Sequence, residues 1–289
     1  MKFFIFKIFF FLAIPILSYI GIAAIVRIIF INKIDNYPTI ILGDSQTEFI
    51  RSPEIFNRSI LGSPYYVHYE FVKEYIEQVK GKKVYIAYNY HNLSKLYQNR
   101  LANDNLMPGW RANTFQTLNE YHLFNHKYLT IRPENSEYSF FDIKRIPRLF
   151  KDFYQSKSRK NSLNSTIDDT LSIGVTIQRH WNNSDYILSD SIQRTYLNKL
   201  MLLLKQNNCD VILLKMPLTN FYINNVPNKI KKEYDQLANN YKVKLLNLND
   251  TFKISKDYIY FKDYGHLNLK GDSLVNKYFE KLEVENEFP

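Results

Sequence analysis

The chain has 289 residues, with 38 Lys and Arg against 28 Asp and Glu, and a single cysteine. One cysteine excludes an intramolecular disulfide, and the scattered histidines offer no metal-ligand spacing. No nucleic-acid motif accompanies the lysines, so the net charge of +10 points to anionic lipid headgroups or an acidic glycan and away from nucleic acid.

Residues 8–26 carry no charge and are rich in Phe, Ile, Leu and Ala. At about 1.5 Å per residue they just match a hydrocarbon core of roughly 30 Å. Pro15 and Gly21 are awkward in a soluble helix but tolerated in a membrane one. Lys2 and Lys7 give the basic start of a cleaved signal peptide, yet the apolar stretch is long and residues 27–36 show no small-x-small cleavage site. The expectation is an uncleaved transmembrane anchor over residues 1–31. Residues 32–289 then form a domain outside the cytoplasm, periplasmic or at the cell surface, long enough for one well-buried α/β unit.

Beyond the anchor, strand and helix signals alternate. Residues 39–42 read as a first strand, followed at once by Gly43-Asp44-Ser45, and Gly62 closes the stretch 57–62. Val67, Phe71, Tyr75 and Val79 recur at helical spacing over 66–79; residues 84–88 are the next strand, with Asn89-Tyr90-His91-Asn92 as its exit. Between about 93 and 189 the pattern breaks down, and this stretch reads as an insertion over the functional edge. Residues 192–204 form an amphipathic helix. Cys209 stands as a structural thiol before the apolar strand 211–215, which Met216-Pro217 stops. A helix over 230–241, a short strand over 243–246 and a closing helix over 274–282 complete the order. Alternation of this kind predicts a mostly parallel sheet whose strand ends gather at one edge, where Ser45, Asn92 and the turn after Pro217 all fall.

The remaining signal is Asp263-Tyr264-Gly265-His266. A serine hydroxyl is a poor nucleophile at neutral pH, so acyl chemistry needs an imidazole to take its proton and a carboxylate to hold that imidazole in one tautomer. Asp263 and His266 are close enough in sequence for a single loop to present both.

The early Gly43-Asp44-Ser45 and the late Asp263-Tyr264-Gly265-His266 together resemble the SGNH/GDSL hydrolase superfamily. The resemblance implies a three-layer α/β/α sandwich of flavodoxin-like type, catalytic Ser45, Asp263 and His266, and neither cofactor nor metal. It also implies an oxyanion hole made of the amides of Ser45 and Gly62 and an asparagine side chain. Asn92 is chosen for that last part, with Asn89 the alternative, because Asn89-Tyr90-His91-Asn92 departs from the usual Gly-x-Asn-Asp. Gln46 replaces the common leucine after the serine.

The expected function is that of an anchored serine esterase or acyltransferase. By similarity to exported polysaccharide-acetylating proteins, it acts as an O-acetyltransferase or O-acetylesterase on a cell-envelope or secreted glycan, with an acyl-donor membrane protein as partner if it transfers. A lipid-directed esterase or lysophospholipase, and a catalytically idle glycan-binding module, are the alternatives.

Overall fold

The computed structural model describes residues 34–60, 62–94, 96–97 and 192–285, with 11, 14, 31, 32, 177, 180 and 181. Five strands, β1 (Thr39–Gly43), β2 (Ile55–Ser59), β3 (Lys83–Ala87), β4 (Asp210–Lys215) and β5 (Lys244–Asn247), form one all-parallel sheet in the order β2-β1-β3-β4-β5. That is the flavodoxin-like order, with the chain reversing direction across the sheet between β1 and β3.

The strands form because alternate apolar side chains each find a core. Ile40, Leu42, Val84, Ile86, Val211 and Leu213 enter one cluster, and Ile41, Tyr85, Ile212 and Leu214 the other. Period-two patterning buried on both faces is what an inner parallel strand requires. The first cluster is closed by α1 (Tyr65–Glu74), α3 (Ile192–Gln206) and α5 (Asn228–Tyr241), through Phe71, Val72, Leu197, Leu200, Ile230 and Tyr234. The second is closed by α6 (Leu248–Phe252) and α7 (Leu269–Glu285), through Leu248, Val275 and Phe279. Helices on both faces give three layers. Each fully buried Leu, Ile, Val or Phe contributes about 1.5–3 kcal/mol to holding them together.

The helix expected over 66–79 is two pieces, α1 and α2 (Ile76–Val79), parted where Tyr75 leaves helical geometry at φ −112° and ψ 33°. Strand β2 was not foreseen because Asn57 and Arg58 interrupt its apolar pattern. Both are spoken for: Asn57 Nδ2 donates to the carbonyls of Thr47 (2.8 Å) and Ile50 (2.9 Å), and the Arg58 guanidinium lies 5.4 Å from the Phe71 ring centre. A short helix α4 (Asn220–Asn225) and a hairpin of β6 (Phe261–Asp263) and β7 (His266–Leu267) complete the fold.

Most of the expected anchor and of the insertion at 93–189 lies outside the described residues. Among the described residues no helix is long and apolar enough to cross a membrane. The described members of the insertion include Tyr97 and Trp181, which are buried, Trp181 within the first cluster.

Candidate active site

Because every strand of the sheet runs the same way, each turn that leaves a strand opens at one edge. Ser45 follows β1 by two residues, Asn89 follows β3 by two, and the turn at Met216-Pro217 follows β4. The end of β2 joins them: Ile60 N–H donates to the Gly43 carbonyl (3.0 Å), as does the Ser63 hydroxyl (2.9 Å). Gly62 sits between these two ties with φ +67°, a left-handed conformation suited to glycine. Gly43 is demanded by space instead. A Cβ there would lie 1.8 Å from Thr47 Oγ1 and 2.8 Å from Ser59 Oγ, inside the close packing that turns the chain into Ser45.

The fifth element is the hairpin. Asp263 pairs with His266 across the two-residue turn Tyr264-Gly265, so a spacing of three puts their side chains side by side. Asp263 Oδ1 accepts the N–H groups of Gly265 (2.9 Å) and His266 (2.8 Å), which fixes the turn from within. From outside, Thr219 donates through its backbone N–H (3.3 Å) and hydroxyl (3.0 Å) to the Tyr264 carbonyl, and Gln46 Nε2 donates to the Gly265 carbonyl. Asn268 then caps α7 by accepting from Lys270 N–H (2.9 Å) and Gly271 N–H (3.3 Å).

This framework brings together three of the residues singled out in the sequence. Ser45 Oγ lies 2.9 Å from His266 Nε2, and His266 Nδ1 lies 2.9 and 3.0 Å from the two oxygens of Asp263. A carboxylate only accepts, so Nδ1 carries the imidazole proton and Nε2 presents its lone pair to the serine hydroxyl. Burial acts to raise the Asp263 carboxyl, but the hydrogen bond and charge of His266, the Gly265 N–H and the nearby Lys262 outweigh it and hold the group below its ordinary value. It stays a carboxylate at neutral pH. His266 and Asp263 keep 33% and 49% of their side-chain surface exposed, so water screens their pairing and it adds little to stability. Its consequence is geometric and chemical.

Asn92 is not where an oxyanion donor is expected. Its Nδ2 donates to Asp44 Oδ2 (2.7 Å) and its Oδ1 accepts the Asn89 N–H (2.7 Å), so both ends are engaged inside a buried cluster. Among the described hydrogen bonds none directs the Asn92 side chain to the serine turn, as was expected of it. Asn89, the alternative, points its Nδ2 at Gln46 Oε1 beside the serine turn.

The cluster beneath Ser45 was missed by sequence reasoning. Asp44 is fully buried, and its Oδ2 also accepts from Tyr97 (2.9 Å) and faces His91 Nε2 (2.7 Å), while Oδ1 accepts the Gln46 N–H (2.9 Å). Burial pushes this carboxyl up. The His91 charge and hydrogen bond, the Gln46 N–H and the Tyr97 hydroxyl more than reverse that and hold it well below the usual carboxylate range. The available signal was a charged residue just after the apolar run Ile40-Ile41-Leu42; nothing in the sequence paired it with Tyr97.

A second buried polar pair supports the Gly62 turn. The Ser63 hydroxyl donates to the Gly43 carbonyl, so it accepts from His68 Nε2–H at 3.0 Å. Burial, then the charge of Arg58, pushes the His68 imidazole down to about 3. Cys209 donates its thiol to the Val79 carbonyl at 3.4 Å, and burial raises its pKa, as suits a packing thiol.

No family model and no curated protein matches the chain. Among solved structures it is similar to a GDSL-like lipase from Bacteroides thetaiotaomicron at 13% identity and a TM-score of 0.39, with 86% of this chain and 90% of that chain covered. At that level of similarity the reading of the site rests on its own hydrogen bonds.

Proposed function

We propose that the chain is a serine acyl-ester enzyme of the SGNH/GDSL type. The observation that carries the reading is the continuous relay from Ser45 Oγ through His266 to Asp263, held at the carboxyl edge of a parallel sheet. In this reading Ser45 attacks an ester carbonyl while His266 Nε2 takes its proton. His266 returns that proton to the departing alcohol, and water or an acceptor hydroxyl releases the acyl group by the same steps in reverse. The negative charge of the tetrahedral intermediate is met by the backbone N–H groups of Ser45 and Gly62 and by Asn89 Nδ2.

The basic charge and the apolar segment at 8–26 support an exported, anchored O-acetyltransferase or O-acetylesterase working on a cell-envelope or secreted glycan. One observation favours a lipid ester instead: Tyr258, Ile259 and Leu269, which flank the His266 hairpin in sequence, are exposed. The test is labelling by a fluorophosphonate together with turnover of an aryl acetate, an acetylated oligosaccharide and a lysophospholipid. The protein should be labelled at Ser45 and the oligosaccharide should have the highest kcat/KM, because contacts remote from the ester add to transition-state binding. Ser45→Ala should abolish labelling and all turnover. Preference for the lysophospholipid would favour the lipid reading, and an unlabelled, inactive native protein would end the serine mechanism.

A further inference from the structure

We propose that Gln46 is a positioning residue, whose side chain orients the Asn89 carboxamide for the oxyanion and locks the His266 hairpin to the turn that carries the nucleophile. This rests on the serine acyl-ester reading and assigns a task to a residue with no part in the relay itself. Gln46 is 5% exposed, and both ends of its carboxamide are used. Its Nε2 donates to the Gly265 carbonyl and its Oε1 accepts from Asn89 Nδ2. Those partners lie 219 and 43 residues away in sequence, on the β6–β7 hairpin and the exit of β3. The backbone N–H of Gln46 is itself fixed by Asp44 Oδ1 at 2.9 Å.

The polarity of this chain of bonds has only one solution. A main-chain carbonyl can only accept, so Gly265 obliges Gln46 to turn its NH₂ toward the hairpin and its oxygen toward Asn89. Facing an oxygen, Asn89 must in turn present its own NH₂. One N–H of that nitrogen bonds Gln46, and the other stays on the same atom beside the serine turn. The geometry therefore settles the orientation of Asn89 from a carbonyl two hydrogen bonds away, on the far side of Gln46. A leucine in place of Gln46 could set neither partner: Asn89 could then flip its oxygen inward, and the Gly265 carbonyl would lose its donor.

The test uses the full-length chain with Gln46→Leu and Gln46→Glu, an aryl acetate as substrate and active-site titration by fluorophosphonate. For Gln46→Leu we expect kcat per titrated site to fall about 10²-fold with KM little changed, the scale of a lost or misplaced oxyanion donor. Gln46→Glu is isosteric and separates positioning from mere packing. When protonated, its introduced carboxyl can donate to Gly265 and accept from Asn89; when ionised, it sets negative charge against a carbonyl and cannot donate. Around it stand Asp44 with His91 from the exits of β1 and β3, and Asp263 with His266 from the hairpin. Native kcat should rise with deprotonation of the imidazole to a plateau, whereas the Gln46→Glu profile should gain a falling limb and peak at lower pH.

A Gln46→Leu enzyme within twofold of native kcat per titrated site would overturn the proposal. So would a Gln46→Leu loss confined to thermal stability, or a Gln46→Glu profile that keeps the native shape. Those outcomes leave the serine reading standing, because the native protein would still be labelled and active. A native protein that is neither labelled nor active removes both.

Discussion

Asp263 shows how one side chain can serve a turn and a proton at the same time. Its Oδ1 accepts two main-chain N–H groups of its own hairpin, and both oxygens lie within 3.0 Å of His266 Nδ1. In Asp263→Asn the amide oxygen should keep the Oδ1 place, because two N–H donors face it, and the NH₂ should take the place of Oδ2. An NH₂ there repels Nδ1–H and favours the tautomer with the proton on Nε2, which can no longer accept from Ser45. Turnover should fall by about 10⁴, the loss measured for the same change in the well-studied triad protease that serves as the general template. The melting temperature should barely move, given how exposed the pair is. Near-native kcat in this variant would mean that His266 works without its carboxylate. These three residues were legible in the sequence because a strand end fixes where Ser45 emerges and a spacing of three fixes a hairpin pair. Gln46 was visible only as a departure from the common leucine, and Asp44 only as a letter of the Gly43-Asp44-Ser45 motif, since their partners lie on distant segments.

At the scale of elements, the exit of β3 separates two asparagines that the sequence alone left as alternatives. Both follow the strand within five residues, and a sequence carries no rule for which of them faces the serine. The 3₁₀ turn Tyr90–Leu93 turns Asn92 back, so that its side chain bonds Asp44 and the Asn89 N–H, whereas Asn89 faces Gln46, next to Ser45. Asn89→Ala should therefore lower kcat by about 10²–10³, the cost of one oxyanion donor, with stability close to native. Asn92→Ala should do the reverse, removing about 1–3 kcal/mol of stability by withdrawing a donor from a buried carboxylate. Chemical denaturation and steady-state kinetics on the two variants check the pair; the opposite assignment of effects would restore Asn92 to the oxyanion hole. The larger elements were legible where their periodicity was unbroken, as in β1, β3, β4, α3 and α5. Strand β2 was not, because the polar Asn57 and Arg58 are satisfied by a turn and a ring that only the folded chain brings near. The helices α4 and α6 are five or six residues long, too short for a helical period to show.

For the molecule as a whole, the two apolar clusters account for why the chain folds, and the buried polar groups beneath the edge bear on its stability in acid. Ten described tyrosines, among them Tyr75, Tyr88, Tyr222 and Tyr234, are buried, so the aromatic richness of the composition serves the core to a large extent. Folding also buries His68 as a neutral imidazole, its pKa taken from 6.5 down to about 3. Between those values the unfolded chain holds a proton that the folded chain refuses, so the contribution of this group is full above about 6.5 and is lost as pH falls toward 3. Asp44 acts lower down. Its depressed carboxyl favours the folded state above its ordinary 3.8 and ceases to as pH drops below that value. Acid destabilisation should therefore begin near pH 6.5, ahead of any carboxylate, and amount to a few kcal/mol, at roughly 1.4 kcal/mol for each pKa unit. In His68→Gln the amide can still donate to Ser63 but cannot take a proton. The first part of the decline, between pH 6.5 and 4.5, should flatten in that variant while the Asp44 part remains. Urea denaturation across that range compares the two proteins directly, and parallel curves would show that the buried imidazole is not what the acid attacks.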